Sequence, residues 1–234
     1  MTTGKQSATE FTRDDVQIID TVECYSGFLK IDRLHLRHRL YTGGWSNTIQ
    51  REIVQRAPGV GVLLYDPELD KVLMVQQFRV GCLQSPGGPW KLELVAGLID
   101  TDESPSAVAI REAQEEAGVR IDTLLPMFNY YLSPGSSTEM MTLFCAIFDA
   151  RTHVSTDAQG ELLETASVFG LEEEHEDIRV VIMDREDAEK AMGSGMIDNA
   201  MSLIALQWLQ LHHRSVRKML TDAGSRQQAR GEPV

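Results

Sequence analysis

A short carboxylate-rich helix between two glycines is the feature that most restricts the fold of this chain. It lies in the segment GLIDTDESPSAVAIREAQEEAGV, Gly97–Val119. Ser104 is a preferred N-cap residue, and a proline at the first helical position loses no backbone hydrogen bond. Gly118 stands where helices commonly end in a left-handed residue. The segment therefore predicts a helix from Pro105 to Ala117.

The predicted helix has a face of small and aliphatic residues that could lie close to a sheet. At the helical period, this face would be formed by Ser106, Ile110, Ala113 and Ala117. Glu112, Glu115 and Glu116 are expected to point roughly the opposite way. Repulsion between exposed like charges is weak on a helix, so a solvated acidic face is the ordinary alternative to a binding site.

The order of glycines and charged residues in this segment resembles the signature of the Nudix hydrolases. The residues that match are Gly97, Glu103, Arg111, Glu112, Glu115, Glu116 and Gly118. Position 113 is alanine where the family usually has a bulkier aliphatic residue, whereas Val119 fits the closing aliphatic position. The resemblance implies hydrolysis of a nucleoside diphosphate linked to another group. It also implies an α+β fold, the Nudix α/β/α sandwich of mixed sheets with an N-terminal antiparallel strand region.

Outside this helix, apolar patterns predict many strands followed by two terminal helices. The strands are expected at 16–20, 29–41, 48–56, 59–66, 71–80, 90–97, 122–133, 139–150 and 178–184, and the helices at 185–195 and 198–220. The long acidic segment 156–177 predicts a mobile loop. This order is typical of an α+β or α/β sandwich rather than of alternating βαβ units.

The chain divides into three predicted regions. Residues 1–56 form an N-terminal β region, which by the resemblance is exchanged between the subunits of a homodimer. Residues 57–213 form the catalytic domain, and residues 214–234 are the end of a helix and a disordered tail. Disorder is expected over residues 1–13 and from Thr221 onwards, because these segments are polar and poor in large apolar residues.

Composition restricts the partners and the location of the protein. The formal net charge of −13 disfavours a nucleic acid as the main partner, and it means that an anionic substrate needs a metal ion as mediator. The sequence shows no secretory signal and no apolar run long enough to cross a membrane. Three widely spaced cysteines, Cys24, Cys82 and Cys145, favour a reducing compartment. We therefore expect a cytoplasmic protein without a membrane partner.

The resemblance also implies a divalent metal site. Carboxylate and carbonyl oxygens suit Mg²⁺, with Mn²⁺ as the alternative ion. The implied ligands are the carbonyl of Ala96 and the carboxylates of Glu112, Glu116 and Glu176. Arg111 is expected to hold Glu103 or a neighbouring carboxylate in place, with direct phosphate contact as its alternative role.

A general base is implied in the acidic segment GLEEEHEDIRV. In the resemblance, Glu174 falls on the proposed base, in a loop that closes over the bound substrate. Glu115 is the alternative base, and Glu172 and Glu173 lie close enough to blur the register. The preceding segment, 152–169, is longer than the family pattern, which leaves the closure of this loop open.

Four further segments, GFLKIDRLHLRHRL, QREIVQR, QQFR and SPGSSTE, resemble the ADP-ribose pyrophosphatase branch of the family. The implied substrate contacts are Phe28, Leu29, Arg51, Glu52, Arg56, Arg79, Leu98, Ser133, Gly135 and Glu139. The aromatic ring would lie near adenine, and arginine suits phosphate because its planar fork binds two oxygens. Taken singly, a Pro-Gly turn and solvated strand arginines are the ordinary alternatives.

The reaction implied by the whole resemblance is Mg²⁺-dependent hydrolysis of ADP-ribose to AMP and ribose 5-phosphate. One alternative is a diphosphatase for another nucleoside diphosphate sugar, such as GDP-mannose. The other is a non-catalytic module that senses ADP-ribose. The complete signature and the acidic chain, with no recognisable helix-turn-helix pattern, argue against the sensor.

Overall fold

The computed structural model describes residues 11–99, 102–152, 155–156, 162–163 and 168–230. Its strands are β1 (Val16–Ser26), β2 (Lys30–His38), β3 (Ile49–Gln55), β4 (Gly59–Asp66), β5 (Lys71–Phe78), β6 (Trp90–Glu93), β7 (Val95–Leu98), β8 (Leu124–Tyr131), β9 (Met140–Ile147), β10 (Ser155–Thr156), β11 (Leu162–Leu163), β12 (Val168–Phe169) and β13 (Ile178–Asp184). Its α-helices are α1 (Pro105–Ala117), α2 (Arg185–Ser194) and α3 (Ala200–Arg230). None of the helices in the described ranges combines the length and apolar character that a bilayer crossing requires.

The chain folds as two compact units, of which the first comprises Met1–Ala57 and Tyr131–Met140. Its antiparallel sheet has the order β1-β2-β3. The second segment of the unit joins β3 through a parallel bridge between Val54 and Ser137. The predicted N-terminal region of antiparallel strands is therefore present.

The second unit, Pro58–Tyr130 and Met141–Val234, is built on a mixed eight-stranded sheet. Its strands follow the order β12-β13-β5-β4-β9-β8, with β6 beside β5 and β7 beside β4. β4 runs parallel to β9 but antiparallel to β5 and β7. Every residue of β4 is buried, as expected for a central strand covered on both faces.

Apolar side chains cover both faces of this sheet. One cluster packs α1 against it and includes Val60, Val75, Ala109, Ala113 and Ala117. The other packs α2 and α3 against the opposite face and includes Leu63, Met74, Ala188 and Leu209. Successive residues of a strand point to opposite faces, so β4 and β5 supply both clusters. These two helical layers confirm the predicted α/β/α sandwich.

The helix α1 spans the predicted residues, but its buried face is rotated from the predicted one. Ser104 Oγ accepts the Ala107 N–H at 3.2 Å, and Gly118 ends the helix with a φ of 65°. Ser106 and Ile110 are exposed, and the buried positions are Val108, Ala109, Ala113, Glu116 and Ala117. The prediction that Glu116 points away from the sheet is therefore wrong. A hydrogen bond to the sheet allows this carboxylate to be buried.

Other segments differ from prediction in extent. The predicted strand at 90–97 is split, because the chain leaves β5 and joins β4 at Leu94. Residues 168–169, predicted as loop, pair with β13 as β12. The helix α3 extends to Arg230, past Thr221, where the sequence predicts a disordered tail. The disorder predicted for residues 1–10 and 231–234 falls outside the described residues.

Candidate active site

The strand β7 and the helix α1 bring the backbone at Gly97 against the carboxylates of the helix. Glu116 Oε2 accepts the Ala96 N–H at 2.9 Å, which ties the last turn of α1 to the strand. A side chain at position 97 would overlap the Glu112 carboxylate, since a Cβ built on Gly97 collides with it. The absence of a side chain at Gly97 therefore lets Glu112 lie directly on the strand in the conformation observed.

Arg111 links three carboxylates of the same segment. Its Nη1 donates to Glu115 Oε2 at 2.7 Å and lies 3.0 Å from Glu112 Oε1. Its Nε lies 3.5 Å from Glu103 Oε2. Because the guanidinium already faces three carboxylates, this geometry favours the predicted positioning role over direct phosphate contact.

The carboxylates around α1 carry more negative charge than their neighbours offset. Burial raises the pKa of Glu112 to about 7; the charges of Glu115 and Glu176 add to the rise, and Arg111 opposes it. Burial also raises the pKa of Glu116 to about 8, with Glu112 and Glu176 adding to the rise. Glu112, Glu116 and Glu176 therefore lie near enough for each charge to disfavour ionisation of the others.

These carboxylates have the chemistry of a divalent-metal site, although they are not preassembled around one point. Among the residues that the structure describes, no three His, Cys, Asp or Glu side chains converge closely enough to hold a metal ion. Glu112 faces a guanidinium, and Glu176 Oε2 accepts the Leu171 N–H at 3.1 Å. Hard oxygen donors with excess negative charge suit Mg²⁺ or Mn²⁺. The donor set fits such an ion once the carboxylates exchange their present partners for it.

The acidic loop after β12 is fixed at both ends beside α1. Phe169 of β12 lies opposite Ile178 of β13. The Gly170 N–H donates to the Glu115 carbonyl of α1 at 3.2 Å. The loop 171–177 therefore begins and ends next to the helix that carries the carboxylates.

The two predicted bases differ in how far the structure describes them. Glu174 lies in the 3₁₀ turn Glu172–Glu174, and its side chain falls outside the described part of the chain. Its neighbour Glu173 is exposed. Glu115 is half-buried, and its carboxylate accepts from Arg111. An oxygen held by a guanidinium is poorly placed to accept a proton from water, so the geometry disfavours Glu115, and the assignment of Glu174 stays a prediction.

Arg79, directly after β5, is the predicted phosphate contact within the second unit. Its Nε donates to Glu93 Oε2 at 2.6 Å. Its charge lowers the pKa of Glu116 against the larger effect of burial, so the guanidinium lies near a carboxylate that is predicted to bind metal. Leu98, also predicted, is partly buried at the end of β7. Glu93 is absent from the predicted site, although WKLEL alternates charged residues with leucines and so marks a polar strand face.

Three of the substrate residues predicted in the first unit cluster together. The Arg56 guanidinium lies 5.5 Å from the centroid of the Phe28 ring, and Arg56 Nε lies 3.6 Å from Glu139 Oε2. Phe28 is 88% exposed, so its ring face is open to a planar ligand. This cluster offers a nucleotide an aromatic face, a cation and an anion.

The remaining predicted contacts of this unit have other neighbours. Glu52 pairs with Arg33 at 2.8 Å. Ser133 Oγ lies 3.3 Å from Ser136 Oγ. The other three are exposed: Leu29, Arg51 and Gly135. Their roles stay predictions.

The chain is similar to known proteins along most of its length. The NUDIX domain model matches residues 55–199. The ADP-ribose pyrophosphatase of Escherichia coli (strain K12) is 39% identical over 207 residues, which cover 88% of this chain and 93% of that protein. The ADP-ribose pyrophosphatase of Haemophilus influenzae is 36% identical over 211 residues, which cover 89% of this chain and 92% of that protein.

Two further likenesses are more distant. The GDP-mannose pyrophosphatase of Cronobacter sakazakii is 34% identical over 164 residues, which cover 69% of this chain and 78% of that protein. A solved structure described as an ADP compounds hydrolase matches with a TM-score of 0.58 at 18% identity, covering 84% of this chain and 95% of that one. The structural likeness shows the fold alone.

We expect the metal-free protein to lose stability as the pH rises from about 5 to about 8. The pKa values of Glu112 and Glu116, about 7 and about 8, lie above the ordinary value of 4.5. Their contribution to stability is therefore full below the ordinary pKa and is lost as the pH passes the raised values. Glu116→Gln should remove on the order of 2 kcal/mol of this loss, measured by urea unfolding in EDTA at both ends of the range.

A matched variant for this measurement is Asp122→Asn, which changes a carboxylate whose side chain is 86% exposed. It should keep the wild-type pH profile. Unfolding free energies that are equal at both pH values in the wild type would contradict the burial of charge on α1.

Proposed function

Because the chain belongs to the NUDIX domain family, we propose that it hydrolyses the diphosphate of ADP-ribose to give AMP and ribose 5-phosphate. The observation that carries the substrate is the similarity to two ADP-ribose pyrophosphatases over 88% and 89% of the chain. Similarity to the GDP-mannose pyrophosphatase covers 69% of the chain, which makes GDP-mannose the second candidate. The complete set of signature carboxylates supports an enzyme rather than a sensing module.

We propose Mg²⁺ as the cofactor, with Mn²⁺ as the alternative. The proposed ligands are the carbonyl of Ala96 and the carboxylates of Glu112, Glu116 and Glu176. When bound, the ion supplies Lewis-acid polarisation of the diphosphate and offsets its charge. Burial and the charges of neighbouring carboxylates raise the pKa values of Glu112 and Glu116, and a divalent cation would offset both effects, which supports this assignment.

The other residues of the chain orient the reactants. Arg111 holds Glu112 and Glu115 in place through its bonds to both. Arg79 offers its planar fork to the phosphate oxygens. Glu174 accepts the proton of the attacking water, with Glu115 as the rival base.

The residues proposed for the adenosine and ribose parts lie mainly in the first unit. Phe28 stacks on adenine, and Arg56 and Glu139 beside it contact the same nucleotide. The further proposed contacts follow the family pattern alone and are Leu29, Arg51, Glu52, Leu98, Ser133 and Gly135.

The substrate is tested by incubating the protein and Mg²⁺ with ADP-ribose and with GDP-mannose and measuring release of AMP or GMP. AMP release should exceed GMP release by at least about tenfold. Glu112→Gln should lower kcat by at least about 10³-fold, because it removes a charged metal ligand while preserving side-chain size. Gln114→Ala, an exposed position on the same helix, is the matched variant and should retain activity.

A Glu112→Gln enzyme within about tenfold of wild-type activity would refute the metal assignment. Dominant GMP release would make GDP-mannose the substrate. Binding of ADP-ribose without turnover by the wild type would favour the sensing module.

The base is tested by comparing Glu174→Gln with Glu115→Gln. We expect Glu174→Gln to lower kcat by about 10²–10⁴-fold, the usual loss on removing a general base. Glu115→Gln should cost less, because it removes only the partner of a guanidinium. The affinity for Mn²⁺, followed by its electron paramagnetic resonance signal, should stay unchanged in Glu174→Gln. The reverse order of kcat losses would assign the base to Glu115.

We further propose that the protein is a cytoplasmic homodimer. Apolar residues of β1 that are between 40% and 56% exposed support an interface on this strand: Ile18, Ile19, Val22 and Tyr25. Three unpaired cysteines, Cys24, Cys82 and Cys145, agree with a reducing compartment.

Light scattering should give the wild type a mass twice that of the 26.1 kDa chain. Combined Ile18→Asp and Val22→Asp substitutions should give the single-chain mass, because they place charges in the proposed interface. Glu68→Gln, on an exposed residue of the second unit, should remain dimeric. A single-chain mass for the wild type at micromolar concentration would refute the homodimer.

A further inference from the structure

Glu93 is a buried charge on the face of the sheet that carries the candidate site. It lies opposite Val75 in the pairing of β6 with β5, and residues opposite each other point to the same face. Val75 belongs to the core cluster under α1, so Glu93 points to the side of the sheet on which α1 lies. Glu93 is only 9% exposed. A carboxylate at such a position requires a partner.

That partner is Arg79. The backbone N–H and the backbone carbonyl of Arg79 are both hydrogen-bonded as well. Arg79 Nε donates to Glu93 Oε2 at 2.6 Å. The Arg79 N–H donates to the Pro89 carbonyl at 2.7 Å, and the Arg79 carbonyl accepts the Cys82 N–H at 2.9 Å. In the part of the chain that the structure describes, the Arg79 guanidinium makes its side-chain hydrogen bond at Nε. Its two terminal nitrogens match the spacing of two phosphate oxygens.

Resting on the proposed function, we propose that Glu93 is a positioning residue that holds Arg79 in the orientation required to bind the substrate diphosphate. Glu93 itself does not contact the substrate. Its buried side chain, 11% exposed, grips the guanidinium from the sheet side, while the Arg79 side chain remains 42% exposed. The Nε of the guanidinium is thus held by Glu93, while the Arg79 side chain stays partly open to solvent.

The anchoring also keeps Arg79 from the wrong partners. Glu116 is only 3% exposed on α1, which lies on the same side of the sheet as Glu93. A guanidinium released from Glu93 could pair with the carboxylates of α1, where it would compete with a cation and turn away from the phosphates. Glu93 opposes such pairing because its carboxylate already accepts the hydrogen bond of the Arg79 Nε.

The test is a double-mutant cycle on the full-length enzyme with saturating Mg²⁺. Glu93→Gln preserves the size of the side chain but removes its charge, and it should raise KM for ADP-ribose about tenfold with kcat within about threefold. Such a pattern marks binding that is shared by ground state and transition state. In an Arg79→Gln background, Glu93→Gln should change KM less than about twofold, because its effect passes through Arg79. A merely structural ion pair would lower Tm and leave KM near its wild-type value.

Asp70→Asn is the matched control, since Asp70 forms a comparable ion pair with Arg185 at 3.0 Å. Asp70 precedes β5 and Arg79 follows it, so the two lie about 25–30 Å apart along the strand. Asparagine tolerates the left-handed φ of 56° at this position. Asp70→Asn should leave KM at its wild-type value.

A wild-type KM for Glu93→Gln, or an equal rise in both backgrounds, would overturn the positioning role. If Glu93→Gln lowers Tm by more than about 10 °C, Glu93→Asp replaces it in the same cycle with the same expected coupling. A wild type that does not turn over ADP-ribose would overturn the proposed function instead. An active wild type with additive variants would overturn the role of Glu93 alone.

Discussion

The close contact between β7 and α1 is the interaction on which the site depends. Gly97 offers no side chain, so the Glu112 carboxylate lies directly against the strand. On α1, Ile110 is exposed, whereas Ala113 and Ala117 are fully buried against the sheet. Small residues on α1 and a glycine on β7 thus let the helix approach the strand so closely that the Glu112 carboxylate contacts the strand backbone. The bond from the Ala96 N–H to Glu116 then fixes the register of helix and strand.

This contact concentrates charge where burial makes charge costly. Glu116 is 3% exposed, and the neighbouring guanidinium of Arg111 faces other carboxylates. Burying an ionised group without a full partner opposes folding, so the apolar cluster between α1 and the sheet must offset that cost. A ligand that binds only the folded protein and neutralises these carboxylates shifts the equilibrium towards the folded state. Binding of the proposed cation would therefore be coupled to stability through the same few side chains.

Local sequence predicts much of the fold but less of the site. The caps Ser104 and Gly118 suffice to place both ends of α1, because capping depends on residues within one helical turn. The buried face of α1 could not be read in the same way. Several helix faces carry small residues, and the sheet selects among them. The burial of Glu116 depends on a bond to Ala96, twenty positions earlier in the chain, and no local pattern encodes that bond. The pairing of Arg79 with Glu93 likewise follows from the hairpin of β5 and β6.

The short β12–β13 pairing has a consequence for how this chain can tolerate variation. Phe169 pairs with Ile178, and the Gly170 N–H bonds to the Glu115 carbonyl, so only seven residues, 171–177, lie between the two attachment points. Residues 152–167 precede the first attachment point in the sequence. Insertions there lengthen the chain without lengthening the loop 171–177, which carries Glu174 and Glu176.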